Sequence, residues 1–351
     1  MQTKIVTVTE ENKEQTLKEA GSILKAGGLV AFPTETVYGL GGDGLNKEAS
    51  AKIYAAKGRP SDNPLIIHIG DLCALDVLVK NRSEEADKLI DAFWPGPMTL
   101  IFEKADIVPK ETTGGLNTVA IRYPSHPLAM ELLRDSGVYI AAPSANLSGR
   151  PSPTMAQHVI QDLEGRIDMI LDGGSVDIGL ESTIIDVSVT PPVILRPGYI
   201  TEEMVEKVLS NITVDPATLK KRVQENFVAK APGMKYKHYA PKGELTIVEG
   251  PTYQEVAEKI NELVAADQKR GVKTAVIATK ETKQLYDAPV VKVIGSREDE
   301  ASIARGLFAI LRQMDDLQVD TIYCESFDTK ELGQAIMNRL LKAAGYKVIS
   351  L

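Results

Sequence analysis

The chain has 351 residues, 43% of them hydrophobic and 25% charged, which is the make-up of an ordinary globular protein long enough for two domains. No apolar run approaches the roughly 18 residues that a membrane helix needs, and the first fifteen residues are polar, so we expect a cytoplasmic protein with neither span nor leader. The net charge of −8 argues against a general nucleic-acid coat, Cys73 and Cys324 are too few and too distant for a disulfide framework or a cysteine zinc site, and the four histidines form no HExxH.

In chain order, residues 13–26 read as an amphipathic helix with Leu17, Ile23 and Leu24 apolar, ended by Gly27-Gly28. Leu29 to Phe32 reads as a buried strand stopped by Pro33, and Thr34, Glu35, Thr36 and Tyr38 crowd polar groups onto its exit. Gly39, Gly41 and Gly44 satisfy G-x-G-x-x-G, but PTETVY separates them from the strand and the next strand ends at His68 instead of an acid. We therefore read them as a turn permitting close backbone approach, not as a dinucleotide loop. Asn46 caps a helix carrying Ile53 and Tyr54 inward, and Gly58 closes it. That helix delivers Lys57 and Arg59 to a loop fixed by Pro60 and Pro64. In the strand from Pro64, Leu65, Ile67 and Ile69 face one way, Ile66 and His68 the other. Two cations, the Asn63 amide and the His68 imidazole converge within a dozen residues, so an anionic ligand is expected.

Residues 83–94 form the next expected helix, with Trp94 a packed anchor before Pro95-Gly96-Pro97. Strand 98–103 and a loop holding Thr112-Thr113-Gly114-Gly115 follow. In strand 118–123, Thr118, Ala120 and Arg122 share one face. At that strand's end Arg122 either meets a carboxylate with two parallel hydrogen bonds or is salt-bridged at the sheet rim, and spacing does not choose between them. Helix 127–136 and strand 138–142 lead to PSANLSGRPSPT, residues 143–154. This is either a phosphate cradle of exposed N–H groups before a helix capped by Thr154, or a surface turn. Strands 167–171, 183–187 and 193–196 and helix 201–210 complete the first domain, with Ser182 at the start of one strand and Arg196 at the end of another.

The connector carries seven basic residues from Lys220 to Lys242 against Glu225 alone, a net +6 that leaves −14 elsewhere and points to local work on phosphate. Its stretch APGMKYKHYAP, residues 231–241, is basic and aromatic and framed by prolines, and we expect a lid there, with a plain tether as the alternative. From 244, strands 244–249, 274–279, 290–294 and 320–324 alternate with helices 252–269, 299–316 and 331–344, the pattern of a small parallel sheet. No Gly-Lys dipeptide and no G-x-S-x-G occur, which excludes a Walker loop and a hydrolase elbow.

PTETVYGL with KGRPSDNPL, SANLSGRPSPT, ESTIID, RPG and APGMKYKHYAP, in this order, resembles the long, two-domain threonylcarbamoyl-AMP synthases over nearly the whole chain. The resemblance implies an α/β fold: a YrdC-like twisted mixed sheet with helices over 1–212, a basic linker or lid over 213–243, and a small Rossmann-like parallel α/β domain over 244–351. It implies synthesis of threonylcarbamoyl-AMP from L-threonine, bicarbonate or CO2, and ATP, with Mg2+ accompanying the ATP and no protein metal site. Other tRNA-modifying proteins would then transfer the product's group to tRNA, and tRNA binding by this chain is compatible but not required. Carried over by position, the resemblance implies a threonine pocket of Thr36, His68, Arg122, the backbone at Ala142, and Ser182. It implies ATP contacts from Arg59, Asn63, Thr118, Ser144, Ser152, Arg196 and Tyr236, and a catalytic tetrad of Lys57, Arg59, Ser144 and Asn146. No general base stands out, His68 being a candidate only. The competing readings are an RNA-binding module without chemistry and a carbamoyl-transfer enzyme.

Overall fold

The structure, a computed structural model, describes residues 1–218, 231 and 238–351. It divides into two compact units: one holds Met1–Ser148, Ser152–Asp177 and the chain from Glu181, and the other holds Gly149–Pro151, Ile178–Leu180 and the C-terminal part to Leu351.

The first unit is built on an eleven-stranded mixed sheet. Its strands in chain order are β1 (Lys4–Thr7), β2 (Val30–Phe32), β3 (Gly39–Asp43), β4 (Ile66–His68), β5 (Met98–Glu103), β6 (Thr118–Arg122), β7 (Ile140–Ala141), β8 (Met169–Asp172), β9 (Thr183–Asp186), β10 (Val193–Arg196) and β11 (Thr213–Val214). Across the sheet they run β1-β8-β2-β3-β7-β4-β6-β5-β9-β10-β11. The helices are α1 (Lys13–Lys25), α2 (Lys47–Lys57), α3 (Ala74–Leu78), α4 (Glu84–Phe93), α5 (Pro127–Asp135), α6 (Ala156–Leu163) and α7 (Glu202–Glu206).

Strand alternation sorts the side chains onto two faces. Leu29, Ala31, Ile67, Ile121, Leu100 and Ile185 join the main core with Ile53 and Tyr54 of α2 and Leu89 of α4. Val30, Phe32 and Ile140 point the other way, where Leu17 and Leu24 of α1 and Leu128 and Leu132 of α5 cover them. Under β4, β6, β5 and β9 this second face carries, among the described residues, a small apolar cluster: Ile66, Ile101, Ala120, Ile184, Leu195 and Ala231. The polar side chains of His68, Arg122 and Thr99 share that face.

Asn46 Oδ1 accepts from the N–H groups of Glu48 and Ala49, and Gly58 ends α2 at φ 61°, as both sequence signals require. Trp94 is buried and donates its indole N–H to Met98 O (2.8 Å), the anchoring role expected of it. Three local expectations are corrected. Gly39–Asp43 is not a turn but β3, paired with β2 and β7; of the three glycines only Gly44 lies in one. The close approach is real, because a Cβ at Gly41 would sit 2.7 Å from Ile140 Cγ2 and 2.9 Å from Phe32 Cε1. Thr154 does not cap α6: Met155 precedes the helix without a side-chain cap, and His158 Nδ1 reaches back to the Thr154 N–H (3.2 Å) instead. The helix expected over 201–210 is the short α7, capped by Thr201.

The second unit contains β12 (Glu244–Glu249), β13 (Thr274–Ala278), β14 (Val291–Val293), β15 (Thr321–Glu325) and β16 (Val348–Ser350), all parallel in the order β14-β13-β15-β12-β16. Its long helices are α8 (Tyr253–Lys269), α9 (Glu300–Asp316) and α10 (Glu331–Ala343). Val256, Ile260 and Val264 of α8 pack on Val248, Val276 and Tyr323. Within this unit the buried Arg312 donates to Pro151 O (2.6 Å), and Arg150 pairs with Asp315 (3.3 Å).

Candidate active site

β4 and β6 are parallel and end in register, so His68 lies beside Arg122, while antiparallel β5 places Thr99 on the other side of Arg122. Residues directly paired across strands point to the same face. The row His68, Arg122, Thr99 therefore forms a polar floor next to the small apolar cluster. Ser182, just before β9, joins it through a 2.7 Å hydrogen bond between its hydroxyl and that of Thr99. Arg196, at the end of β10, fixes Ser182 by donating to its carbonyl from Nε (3.1 Å) and Nη2 (2.9 Å).

Arg122 is 4% exposed and Glu35 5% exposed, and Arg122 Nη2 lies 2.9 Å from Glu35 Oε1. The contact is an ion pair without hydrogen-bond alignment: among the described residues neither Glu35 oxygen, nor Nε or Nη2 of Arg122, makes a directed hydrogen bond. The salt bridge that the sequence left open is thus present, but buried, and Nε of the guanidinium is left without a partner among the described residues. Burial, and after it the neighbouring Arg122 charge, holds the His68 imidazole down to about 3. His68 is accordingly neutral; its Nδ1–H donates to Ile66 O (3.1 Å), so Nε2 carries no proton. An imidazole so reluctant to take a proton is poorly suited to the general-base role for which His68 was a candidate.

The remaining residues expected at an amino acid are close by in the chain's packing. Thr36 is fully buried in the loop that carries Glu35, its hydroxyl 2.9 Å from that of Thr34. The Ala142 N–H donates to Ile66 O (2.8 Å), so what its backbone offers a ligand is an acceptor.

On the side expected for a nucleotide, Lys57 is 2% exposed and its ammonium is directed inward, donating to Ser144 O and to Asn146 O, the latter at 2.5 Å. Ser144 Oγ in turn donates to Asn146 Oδ1 (2.5 Å). Lys57, Ser144 and Asn146 are therefore brought together as one hydrogen-bonded group. Arg59 folds over its own loop, with Nη2 donating to Pro64 O (3.1 Å). Asn63 is 2% exposed, and its Oδ1 has no hydrogen-bond partner among the described residues. Ser152 donates to Glu181 Oε1 (2.5 Å). Thr118 lies at the far end of β6 from Arg122, four residues away, or about 13 Å at strand rise. Tyr236 and most of the expected lid lie outside the described residues, although Ala231 is fully buried in the apolar cluster beside the polar row.

The loop over 143–154, for which the sequence left a phosphate cradle and a surface turn open, has several of its N–H groups engaged within the protein. Ala145 N–H donates to Tyr38 O, Asn146 N–H to Ser144 O, Leu147 N–H to Asp162 Oδ2, Ser148 N–H to Lys57 O and Thr154 N–H to His158. These bonds engage five of the loop's N–H groups and tie it to the strand exits. Sequence reasoning gave no site role to Glu35, Thr99 or Glu181. Glu35 stood inside the quoted motif, but nothing local showed that its partner was Arg122.

Among the described residues no helix is long and apolar enough to cross a membrane. A family model described as telomere recombination matches residues 22–198, and one described as the C-terminal domain of threonylcarbamoyl-AMP synthase matches residues 200–345. The chain is 50% identical over 345 residues to the threonylcarbamoyl-AMP synthase of Pyrococcus abyssi, covering 98% of each. It is 48% identical over 347 residues to that of Bacillus subtilis, again covering 98% of each. The crystal structure of P. abyssi Sua5 complexed with L-threonine matches with a TM-score of 0.93 at 48% identity, covering 99% of this chain and 100% of that one.

Proposed function

The chain belongs to the threonylcarbamoyl-AMP synthase family, and from that premise we infer that it joins L-threonine, bicarbonate or carbon dioxide, and ATP into threonylcarbamoyl-AMP, releasing pyrophosphate. The observation that carries this reading is the buried Arg122, whose Nε and Nη2 edge makes no aligned hydrogen bond among the described residues, set beside a neutral His68 and the Ser182 hydroxyl. A carboxylate fits that edge with two parallel hydrogen bonds. Threonine, bound in the P. abyssi structure, supplies one.

The threonine ammonium first gives a proton to solvent; the neutral amine then attacks carbon dioxide, and as the new N–C bond forms a second proton leaves the nitrogen for solvent, giving a carbamate. A carbamate oxygen then attacks the α-phosphorus, and the bond to the β-phosphate oxygen breaks with pyrophosphate as the leaving group. Holding two substrates in line contributes most, and fixed cations stabilise the charge growing on the phosphate oxygens. We assign Arg59 and Arg196 to that charge. The unpartnered Oδ1 of Asn63 would accept from an adenine amine, while Thr118, Ser144 and Ser152 would supply hydroxyls. Lys57 would act with Asn146 by holding Ser144 in place. Magnesium would enter on the triphosphate, whose oxygens would hold it, since no group of three acids, histidines or cysteines among the described residues offers a cage.

We keep 1–212 as the catalytic part, 213–243 as connector and 244–351 as a second domain. We place the protein in the cytoplasm, where both cysteines stay reduced, and where tRNA-modifying proteins would consume the product. Incubation with labelled bicarbonate, ATP and threonine should move label into an adenylate. Label remaining in bicarbonate alone would count against the reading.

A further inference from the structure

We propose that Glu35 reads the α-ammonium of the amino-acid substrate, so that Glu35 and Arg122 together grip a zwitterion. This rests on the reading of the pocket as an amino-acid site. Glu35 lies between β2 and β3 in a loop locked by Thr34, whose hydroxyl donates to Val37 O (2.7 Å) and accepts from the Thr36 N–H (3.2 Å). The loop is tied down again where the Tyr38 N–H donates to Pro153 O (2.9 Å). The carboxylate is thus held in position, not swept there by a mobile chain.

A buried carboxylate ordinarily collects hydrogen bonds on both oxygens, and a buried ion pair holds its own against desolvation only when its spare donors and acceptors are filled. Here both Glu35 oxygens and two nitrogens of Arg122 lack an aligned hydrogen bond among the described residues, although Nη2 and Oε1 meet as an ion pair. An α-amino acid fills both sets at once, because its carboxylate and ammonium sit on one carbon, matching opposite charges 2.9 Å apart. The charge balance agrees. The Glu35–Arg122 pair is neutral overall and so is a zwitterion, whereas Arg122 alone would leave the ligand's ammonium uncompensated in a buried place. Of the neighbouring imidazoles His68 is neutral, and burial lowers His126 against the upward pull of Glu35 and Asp177; its Nδ1 has no hydrogen-bond partner among the described residues. A carboxylate that merely braced Arg122 would be expected to align its hydrogen bonds with the guanidinium, and this one does not.

The test is calorimetric binding to the full chain of L-threonine and of 3-hydroxybutanoate, which is threonine without its amine. The unaltered protein should prefer threonine at least tenfold. In Glu35→Gln the threonine Kd should rise at least tenfold while that of 3-hydroxybutanoate moves less than threefold, collapsing the preference. Equal weakening of both ligands would make Glu35 a brace for Arg122, and tightening of both would make it an internal plug; either result overturns the proposal, as does unchanged threonine binding. Should Glu35→Gln fail to fold, Glu35→Asp keeps the charge one methylene short and should weaken threonine at least threefold with 3-hydroxybutanoate unmoved; equal effects on both would again overturn it. An unaltered protein that ignores threonine would overturn the functional reading beneath as well, and so is distinguishable from failure of this proposal alone.

Discussion

Lys57 stands in the expected catalytic group, yet its ammonium is buried against the carbonyls of Ser144 and Asn146. Lys57→Met keeps the length and apolar stem of the side chain and removes the charge and its donors. Each charge-assisted hydrogen bond is worth about 1.5–3 kcal/mol, and part of that loss is offset because a buried charge no longer has to be desolvated. A net loss of about 3 kcal/mol is reasonable for two such bonds. With a urea slope of about 2–3 kcal/mol per molar, the midpoint of the first unit's unfolding should fall by about 1 M. The assay is urea unfolding followed by circular dichroism, run beside pyrophosphate release under native conditions. Release should fall too, because Ser144 and Asn146 lose the group that positions them. A native midpoint with activity abolished would refute this reasoning and put the Lys57 charge on the nucleotide instead. A lowered midpoint with full activity would refute the link between the loop and the chemistry.

Arg122→Ala should raise the threonine requirement by about 10- to 150-fold, the equivalent of 1.5–3 kcal/mol, with ATP affinity little changed; calorimetry of each ligand checks the division. His68 supplies an acid-stability signature. Its folded form resists protonation down to about 3, against an ordinary 6.5, so the unfolded chain binds the extra proton between those values. Stability from this group is complete above pH 6.5 and is lost as pH falls toward 3, by about 2–3 kcal/mol at pH 4.5, and His68→Asn should flatten that slope in pH-dependent unfolding. Gly41→Ala should cost about 1–3 kcal/mol by forcing a methyl against Ile140 and Phe32, read as a lower Tm, and should spare ATP affinity if these glycines serve strand packing.

What could be read in advance was what local chemistry decides. Asn46 and Gly58 mark both ends of α2, and the alternation of Thr118, Ala120 and Arg122 puts the arginine on the working face of β6. β3 was missed because Gly39, Gly41 and Gly42 carry no side chains to alternate; they are there to admit Phe32, Ile140 and Ile53, which belong to other elements. The inward turn of Lys57 was equally hidden. A lysine in the last turn of a helix reads as solvent-facing, and only the packing of the loop at Ser144 buries it. The ion pair of Glu35 with Arg122 joins two elements far apart in the chain, so each residue was visible and their meeting was not. The same holds for the short edge strands β1, β11 and β16, whose existence depends on the neighbour that each one pairs with.

The central claim is that one site brings an amino acid, a one-carbon acid and a nucleotide together. Pyrophosphate release by the full chain, measured with ATP, bicarbonate and threonine and then with each omitted in turn, tests it most directly. The account predicts release only with all three present, and weaker release when serine replaces threonine, the missing methyl being worth about 1–3 kcal/mol. Release at the same rate with alanine, or with no amino acid at all, would contradict it.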